Sequence, residues 1–177
     1  MDTPVRQILD MNAFDFERDG GRDDTGLLAR RRQNFGASSV LFYEEPIEMV
    51  SASGAFMRAA DGTRYLDFYN NVPSVGHTHP RVVEAVTRQI ATLNTNTRYL
   101  HRRVETYLER LKATLPDPRF NVALACTGSE ANDLAMRVAM KATGKSGFVV
   151  TETAYHGNTH LVIQASPSAY KLGGLPS

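Results

Sequence analysis

One block of the chain limits its possible folds more than any other. Val122-Ala123-Leu124-Ala125 is a short continuous apolar run, and Phe148-Val149-Val150 is another. Between them Ala131, Leu134, Ala135, Val138, Ala139 and Ala142 recur at helical spacing until Gly144. An i, i+3, i+4, i+7 stripe marks a helix docked on one face. A strand that is apolar without alternation is one covered on both faces, as in a parallel sheet. Strand, helix, strand in that order predicts an α/β fold. Two further helices precede the block. Pro80, a favoured first helical residue, opens one with a stripe of Val82, Val83, Val86, Ile90 and Leu93. Val104, Tyr107, Leu108, Leu111 and Leu115 mark the other, and Pro116 and Pro118 lie beyond its end.

Upstream the texture changes. Val40-Leu41-Phe42-Tyr43 is β-prone. Asp61-Gly62 is a strong hairpin turn between Phe56-Met57 and a return strand at Tyr65-Leu66-Asp67-Phe68-Tyr69. These predict a small antiparallel β unit over residues 39–79. Residues 1–38 carry charge of both signs and few apolar anchors. They read as a polar arm, either a solvated tail or a segment that embraces a second subunit. Residues 80–177 then open a larger α/β domain.

Composition excludes several classes. A net charge of +1 over 177 residues argues against a dedicated nucleic-acid binder. Hydrophobic residues at 42% and charged residues at 22% fit a globular chain rather than a disordered one. The single cysteine, Cys126, cannot form an internal disulfide, so nothing implies an oxidising compartment. No apolar run approaches the ~20 residues of a membrane span. Met1 to Leu9 lacks the apolar core of a signal peptide. The expectation is a soluble, cytoplasmic protein with no nucleic-acid or membrane partner.

Two segments can carry chemistry. The first is the junction Cys126-Thr127-Gly128-Ser129-Glu130-Ala131-Asn132-Asp133. Gly128 lets the backbone turn sharply and approach a ligand. Thr127 and Ser129 can cap the helix and offer hydroxyls. The free N–H groups and positive dipole end of its first turn suit a phosphate, although a plain N-cap without ligand explains the same residues. It is not a Walker A loop, which needs a Gly-Lys-Ser/Thr ending. Nor is it a nucleophile elbow, which would place a glycine at Ala131. The second segment is Ala154-Tyr155-His156-Gly157. Ligands of open α/β sheets bind beyond the carboxyl ends of strands, so Tyr155 and His156 share an edge with Gly128 and Ser129. The Tyr155 ring can stack on a flat cofactor or plug the sheet edge. His77, His79, His156 and His160 complete no metal site, because no thiol or carboxylate cluster joins them. His77 and His79 read as turn and capping residues before the helix, and no metal is expected.

Together these motifs resemble the N-terminal part of the class III aminotransferase family, the fold type I enzymes that use pyridoxal 5'-phosphate. Tyr65-Leu66-Asp67-Phe68, Gly76-His77-Thr78-His79-Pro80, Thr127 to Ala135 and Ala154-Tyr155-His156-Gly157 match in order and spacing across residues 40–165. Asn70-Asn71-Val72, Val75-Gly76-His77 and the stretch Leu93 to His101 resemble the ethanolamine-phosphate phospho-lyase branch, close to the alanine–glyoxylate aminotransferase 2-like proteins. The resemblance implies an incomplete fold type I transferase: a small antiparallel β unit plus the start of a mostly parallel sheet with flanking helices. It implies that Gly128 and Ser129 hold the cofactor phosphate, that Tyr155 stacks on the pyridine ring, and that His156 supports the site nearby. Asn71 and Val72 would line the substrate side. Arg98 is a candidate contact for a substrate anion, with a surface salt bridge as its alternative. A homodimer acting on a small amine or amino acid is expected of the intact enzyme.

The same resemblance marks what this sequence does not carry. The chemistry needs a lysine that forms a Schiff base and an acid beside the pyridinium nitrogen. In the family both follow the Tyr-His-Gly segment by a long interval. Lys112, Lys141, Lys145 and Lys171 stand in no such context. No catalytic residue is therefore assigned. The expected function is transfer of an amino group from an amine or amino acid to a keto acid or aldehyde, here in an N-terminal fragment inactive alone. Elimination of phosphate from a phosphorylated amino alcohol is the first alternative, and a non-catalytic truncated binding module the second. Unpaired strand edges and uncovered helices are expected to make the isolated chain fold poorly or associate.

Overall fold

A computed structural model describes residue 14 and residues 25–36, 41–69 and 74–169. The chain divides into two units, Met1–Asn96 and Thr97–Ser177.

The first unit contains a helix that charge patterning does not reveal. Helix α1 (Leu27–Phe35) lies inside the segment read as a polar arm. Its Leu-Leu-Ala-Arg-Arg-Arg run consists of strong helix formers, and Arg31 sits 4.3 Å above the ring of Phe35 one turn on. Gly26 (φ 70°) and Gly36 (φ 63°) bracket it. None of its residues is buried. Apart from Phe14, residues 1–24 lie outside the described residues.

The antiparallel β unit forms as expected. Strands β1 (Met49–Ser53), β2 (Phe56–Ala59) and β3 (Arg64–Leu66) pair in chain order. The β2–β3 register pairs Phe56 with Leu66 and Arg58 with Arg64. Asp61-Gly62 makes the turn between them: Gly62 takes φ 89°, and the Asp61 carboxylate accepts the Thr63 N–H at 2.8 Å and its hydroxyl at 3.0 Å. Two readings need correction. Leu41-Phe42-Tyr43 forms no strand, with bends at Phe42 and Tyr43, and Val40 lies outside the described residues. Phe42 meets the ring of Tyr69 at 6.3 Å, the Leu41 carbonyl accepts the Phe14 N–H at 3.0 Å, and among the described residues no strand pairs with this segment. The return strand also stops at Leu66, where the Asp67 N–H makes one further bond to the Ala55 carbonyl at 2.9 Å and the Asp67 carboxylate meets the Nε2 of His77 at 2.9 Å. His77 and Gly54 exchange two backbone hydrogen bonds of 2.8 and 3.0 Å. Helix α2 (Pro80–Ile90) follows, with Pro80 at its first position and His79 as N-cap residue, though the imidazole of His79 makes no capping bond.

The second unit carries α3 (Arg102–Lys112), α4 (Gly128–Thr143), the short α5 (His160–Ile163) and a 3-10 turn at Pro167–Ala169. Helix α4 is bounded by residues chosen for that purpose. The Thr127 hydroxyl accepts the Glu130 N–H at 3.1 Å, and the Glu130 carboxylate accepts the N–H groups of Thr127 and Cys126 at 3.0 and 2.9 Å. This reciprocal capping box fixes the first turn. Gly144 ends the helix in the left-handed region at φ 69°, with its N–H on the Met140 carbonyl.

The runs on either side of α4 depart from expectation. Residues 122–125 and 148–150 do not form strands, and the three-stranded antiparallel sheet is the only sheet among the described residues. A strand exists by virtue of a hydrogen-bonded neighbour, and neither run has one there. Leu124 is half exposed and Val149 fully exposed. Their apolar character records surfaces that lack a cover. Burial is accordingly local. Among the described residues Ala59 is buried in the first unit, and Gly157, Val162, Ala165 and Ser166 in the second. Helices α2, α3 and α4 contain no buried residue.

Candidate functional site

The segment Ala154–Asn158 makes a loop whose backbone is held on every side by polar groups. The Ala154 carbonyl accepts both the N–H and the hydroxyl of Ser168, at 3.1 and 3.0 Å. The His156 N–H donates to the Ser166 hydroxyl at 2.9 Å. The His156 carbonyl accepts from the Asn132 amide at 2.8 Å. The Asn158 N–H donates to the Ser129 hydroxyl at 3.1 Å. Asn132 and Ser129 both lie on the first turns of α4, so these last two bonds seat the loop on the helix N-terminus.

Gly157 explains how closely loop and helix approach. Its φ is 140°. A Cβ at this position would run into the Ser129 hydroxyl and lie 2.7 Å from the Ser129 Cα. Only glycine supplies that backbone without a collision.

The resulting arrangement has defined capacities. Backbone bonds hold the loop, while the side chains of Tyr155 and His156 remain exposed. Among the described residues no acceptor meets the N–H groups of Gly128 and Ser129, which are the first two of the helix. Gly128 has open space where a Cβ would stand. The Ser129 hydroxyl, having accepted from Asn158, keeps its own hydrogen for donation. Two backbone donors and one hydroxyl donor therefore stand on the first turn of the helix, at its positive end. The Glu130 carboxylate does not compete for it, because it is engaged with Thr127 and Cys126.

Bonds at His156 and Asn158 thus seat the loop of Tyr155 and His156 on the helix start that carries Gly128 and Ser129, and among the described residues no sheet edge joins them as sequence reading expects. Asn71 and Val72 lie outside the described residues. Arg98 is exposed in the turn ahead of α3. Lys112 is the last residue of α3, Lys141 sits in the last turn of α4, and Lys145 follows it. No group of three or more His, Cys, Asp or Glu residues with metal-site geometry occurs among the described residues. Sequence reading assigns no role to Asn132, Asn158, Ser166 or Ser168. Asn132 stands within the helix-start motif, but the serines beyond the loop carry no local signal.

Residues 42–176 match the family model of the class-III aminotransferases. The alanine–glyoxylate aminotransferase 2-like protein of Drosophila melanogaster is 38% identical over 151 residues, which are 85% of this chain and 31% of that protein. A phospholyase from Arthrobacter, solved in complex with phosphoethanolamine, is 42% identical with a TM-score of 0.78, covering 84% of this chain and 35% of its own. An omega-transaminase from Sphaerobacter thermophilus is 26% identical with a TM-score of 0.69, covering 85% and 35%. The chain therefore spans about a third of the length of the relatives it matches.

Proposed function

Because the chain belongs to the class III aminotransferase family, we propose that it forms the cofactor-holding part of a pyridoxal 5'-phosphate enzyme. The carrying observation is the 3.1 Å bond from the Asn158 N–H to the Ser129 hydroxyl. It joins an aromatic-bearing loop to a helix N-terminus with unclaimed donors, which are the two supports that a phosphorylated flat ring needs.

The residues present fit this group. The Gly128 and Ser129 N–H groups and the Ser129 hydroxyl hold the phosphate. Tyr155 offers its exposed ring as a stacking surface, and His156 stands beside it. The family resemblance assigns Asn71 and Val72 to the substrate side, and Arg98 is a candidate contact for a substrate anion. When bound, the cofactor supplies an electron-withdrawing ring that stabilises negative charge at the substrate carbon bearing nitrogen. This chain's part is to bind, orient and shield it. The Schiff-base lysine and the acid at the ring nitrogen belong, in this proposal, to sequence beyond the matched third, and the working assembly is a homodimer.

Two reactions run on such a scaffold. The 42% identity with a phospholyase, against 26% with an omega-transaminase, favours elimination of phosphate from a phosphorylated amino alcohol such as ethanolamine phosphate. Amino-group transfer, which sequence reading places first, is the second reading, and the 38% identity with the alanine–glyoxylate aminotransferase 2-like protein supports it.

The first test is to read the coding frame past Ser177. A continuation carrying the lysine and acidic segments supports the proposal, while an authentic stop favours a non-catalytic module. A polypeptide of the relatives' length is then assayed for phosphate release from ethanolamine phosphate and for amino transfer. Release without transfer decides for the lyase. Binding is tested on this chain with pyridoxine 5'-phosphate, which has the ring and phosphate but no aldehyde to react with lysines. Ser129→Ala should weaken it about tenfold, the size expected for losing a charge-assisted hydrogen bond. Unchanged binding would sink the cofactor assignment.

A further inference from the structure

Ser166 is completely buried, which is unusual for a serine on a turn. Its hydroxyl accepts the His156 N–H at 2.9 Å and has one hydrogen to donate. Two carbonyls stand within reach of that hydrogen, Val162 at 3.0 Å and Gly157 at 3.3 Å. Around it lie Val162, Ala165 and Gly157, the other buried residues described in the second unit. Two residues on, Ser168 clasps the Ala154 carbonyl with both its N–H and its hydroxyl.

The placement of this small core is informative. Helix α4, the longest element of the unit, buries nothing. The loop carrying Tyr155 and His156 is instead backed by the unit's buried side chains and tied at Ala154, His156 and Gly157 by two serines. Burial of Ser166 stabilises the tie, since its hydroxyl has no water to turn to and is satisfied only by the protein groups around it. The bonds run to the loop backbone, leaving both side chains projecting.

We infer that Ser166, with Ser168 as its auxiliary, is a positioning residue that presents the Tyr155 ring to the cofactor before the cofactor arrives. The inference rests on the proposed cofactor site, yet its mechanical part stands on the hydrogen bonds alone. It separates two tasks. The first turn of α4 binds phosphate through Gly128 and Ser129, whereas the serine clasp sets the stacking surface and touches no ligand.

The test uses the full chain, with Ser166→Ala compared to the parent. Segment-resolved amide exchange should rise about tenfold or more at residues 154–158, the size expected when an N–H loses its acceptor, with α4 unchanged. Binding of pyridoxine 5'-phosphate is followed by two nuclei. The upfield shift of the single ring proton and the ring methyl, which reports stacking, should be lost, while the phosphorus shift, which reports the helix N-terminus, should persist. Ser168→Ala should give the same split in weaker form, because its N–H still holds Ala154. Loss of both signals, or exchange that rises equally across α4, makes Ser166 a general structural residue and overturns the inference. Exchange and shifts unchanged from the parent overturn it too. If the parent chain shows neither shift, the cofactor reading fails by itself, and the exchange pattern alone then decides whether the clasp holds the loop.

Discussion

Gly157 is the residue at which the candidate site is most sensitive to a single added carbon. Its φ of 140° and the Ser129 hydroxyl beside it leave no room for a Cβ. Gly157→Ala should push the loop off α4 and abolish the ring-proton shift of pyridoxine 5'-phosphate without unwinding the helix, as circular dichroism would report. A parent-like shift in that variant would mean that the contact is not required. Asp61 gives a prediction of a different kind. The Thr63 N–H and hydroxyl hold its carboxyl below the usual aspartate range. A carboxylate with a lowered folded pKa supports its turn above the ordinary aspartate value and withdraws support only as pH falls through the lowered one. The Thr63 amide shift should therefore titrate with a midpoint below that of a free aspartate, and Asp61→Asn should remove the titration. A midpoint at the ordinary value would show the turn bonds to be absent in solution. Of these residues, the Asp61-Gly62 turn is legible in the sequence because both partners sit within three positions. Ser166 is not, since its acceptor role is created by a donor ten residues away.

Elements whose signals are local were readable in advance, and those that depend on neighbours were not. The stripes over α2, α3 and α4 repeat at helical spacing within one stretch of chain, and Pro80, Thr127 and Gly144 punctuate them by their own chemistry. Thr127→Ala should cost about 1 kcal/mol of helix stability. The loss should appear as faster exchange of the Glu130 amide, whereas Thr127→Ser should keep its protection. Equal exchange in both variants would show the cap to be idle. Apolar continuity misleads at residues 122–125 and 148–150, because it reports that a segment needs cover on two faces, not that the cover is present. The opposite error occurs at α1. Its charges read as a solvated arm, but Leu27 to Gln33 are residues that lose little on becoming helical.

At the scale of the whole molecule, the dominant fact is apolar surface without a partner. Val82, Val83, Val86 and Ile90 on α2 are each exposed by 45% or more, and so is Val149 beyond α4. Apolar patches of this kind mark association surfaces. The chain should run above its monomer mass in light scattering at micromolar concentration, and Val86→Asp combined with Ile90→Asp should lower that mass. A monodisperse monomer with a cooperative thermal transition would contradict this. This chain spans about a third of the length of the relatives it matches. The sequence by itself determined helices α2, α3 and α4, the hairpin and the family, because periodicity, capping and motif order are properties of contiguous residues. Tertiary structure alone decided that the first and last apolar runs of the α4 block stay unpaired, that Gly157 lies against Ser129, and that a buried Ser166 ties the loop. Those outcomes depend on which distant groups meet, and a hydrogen bond or a buried face exists only when both sides of it are in place.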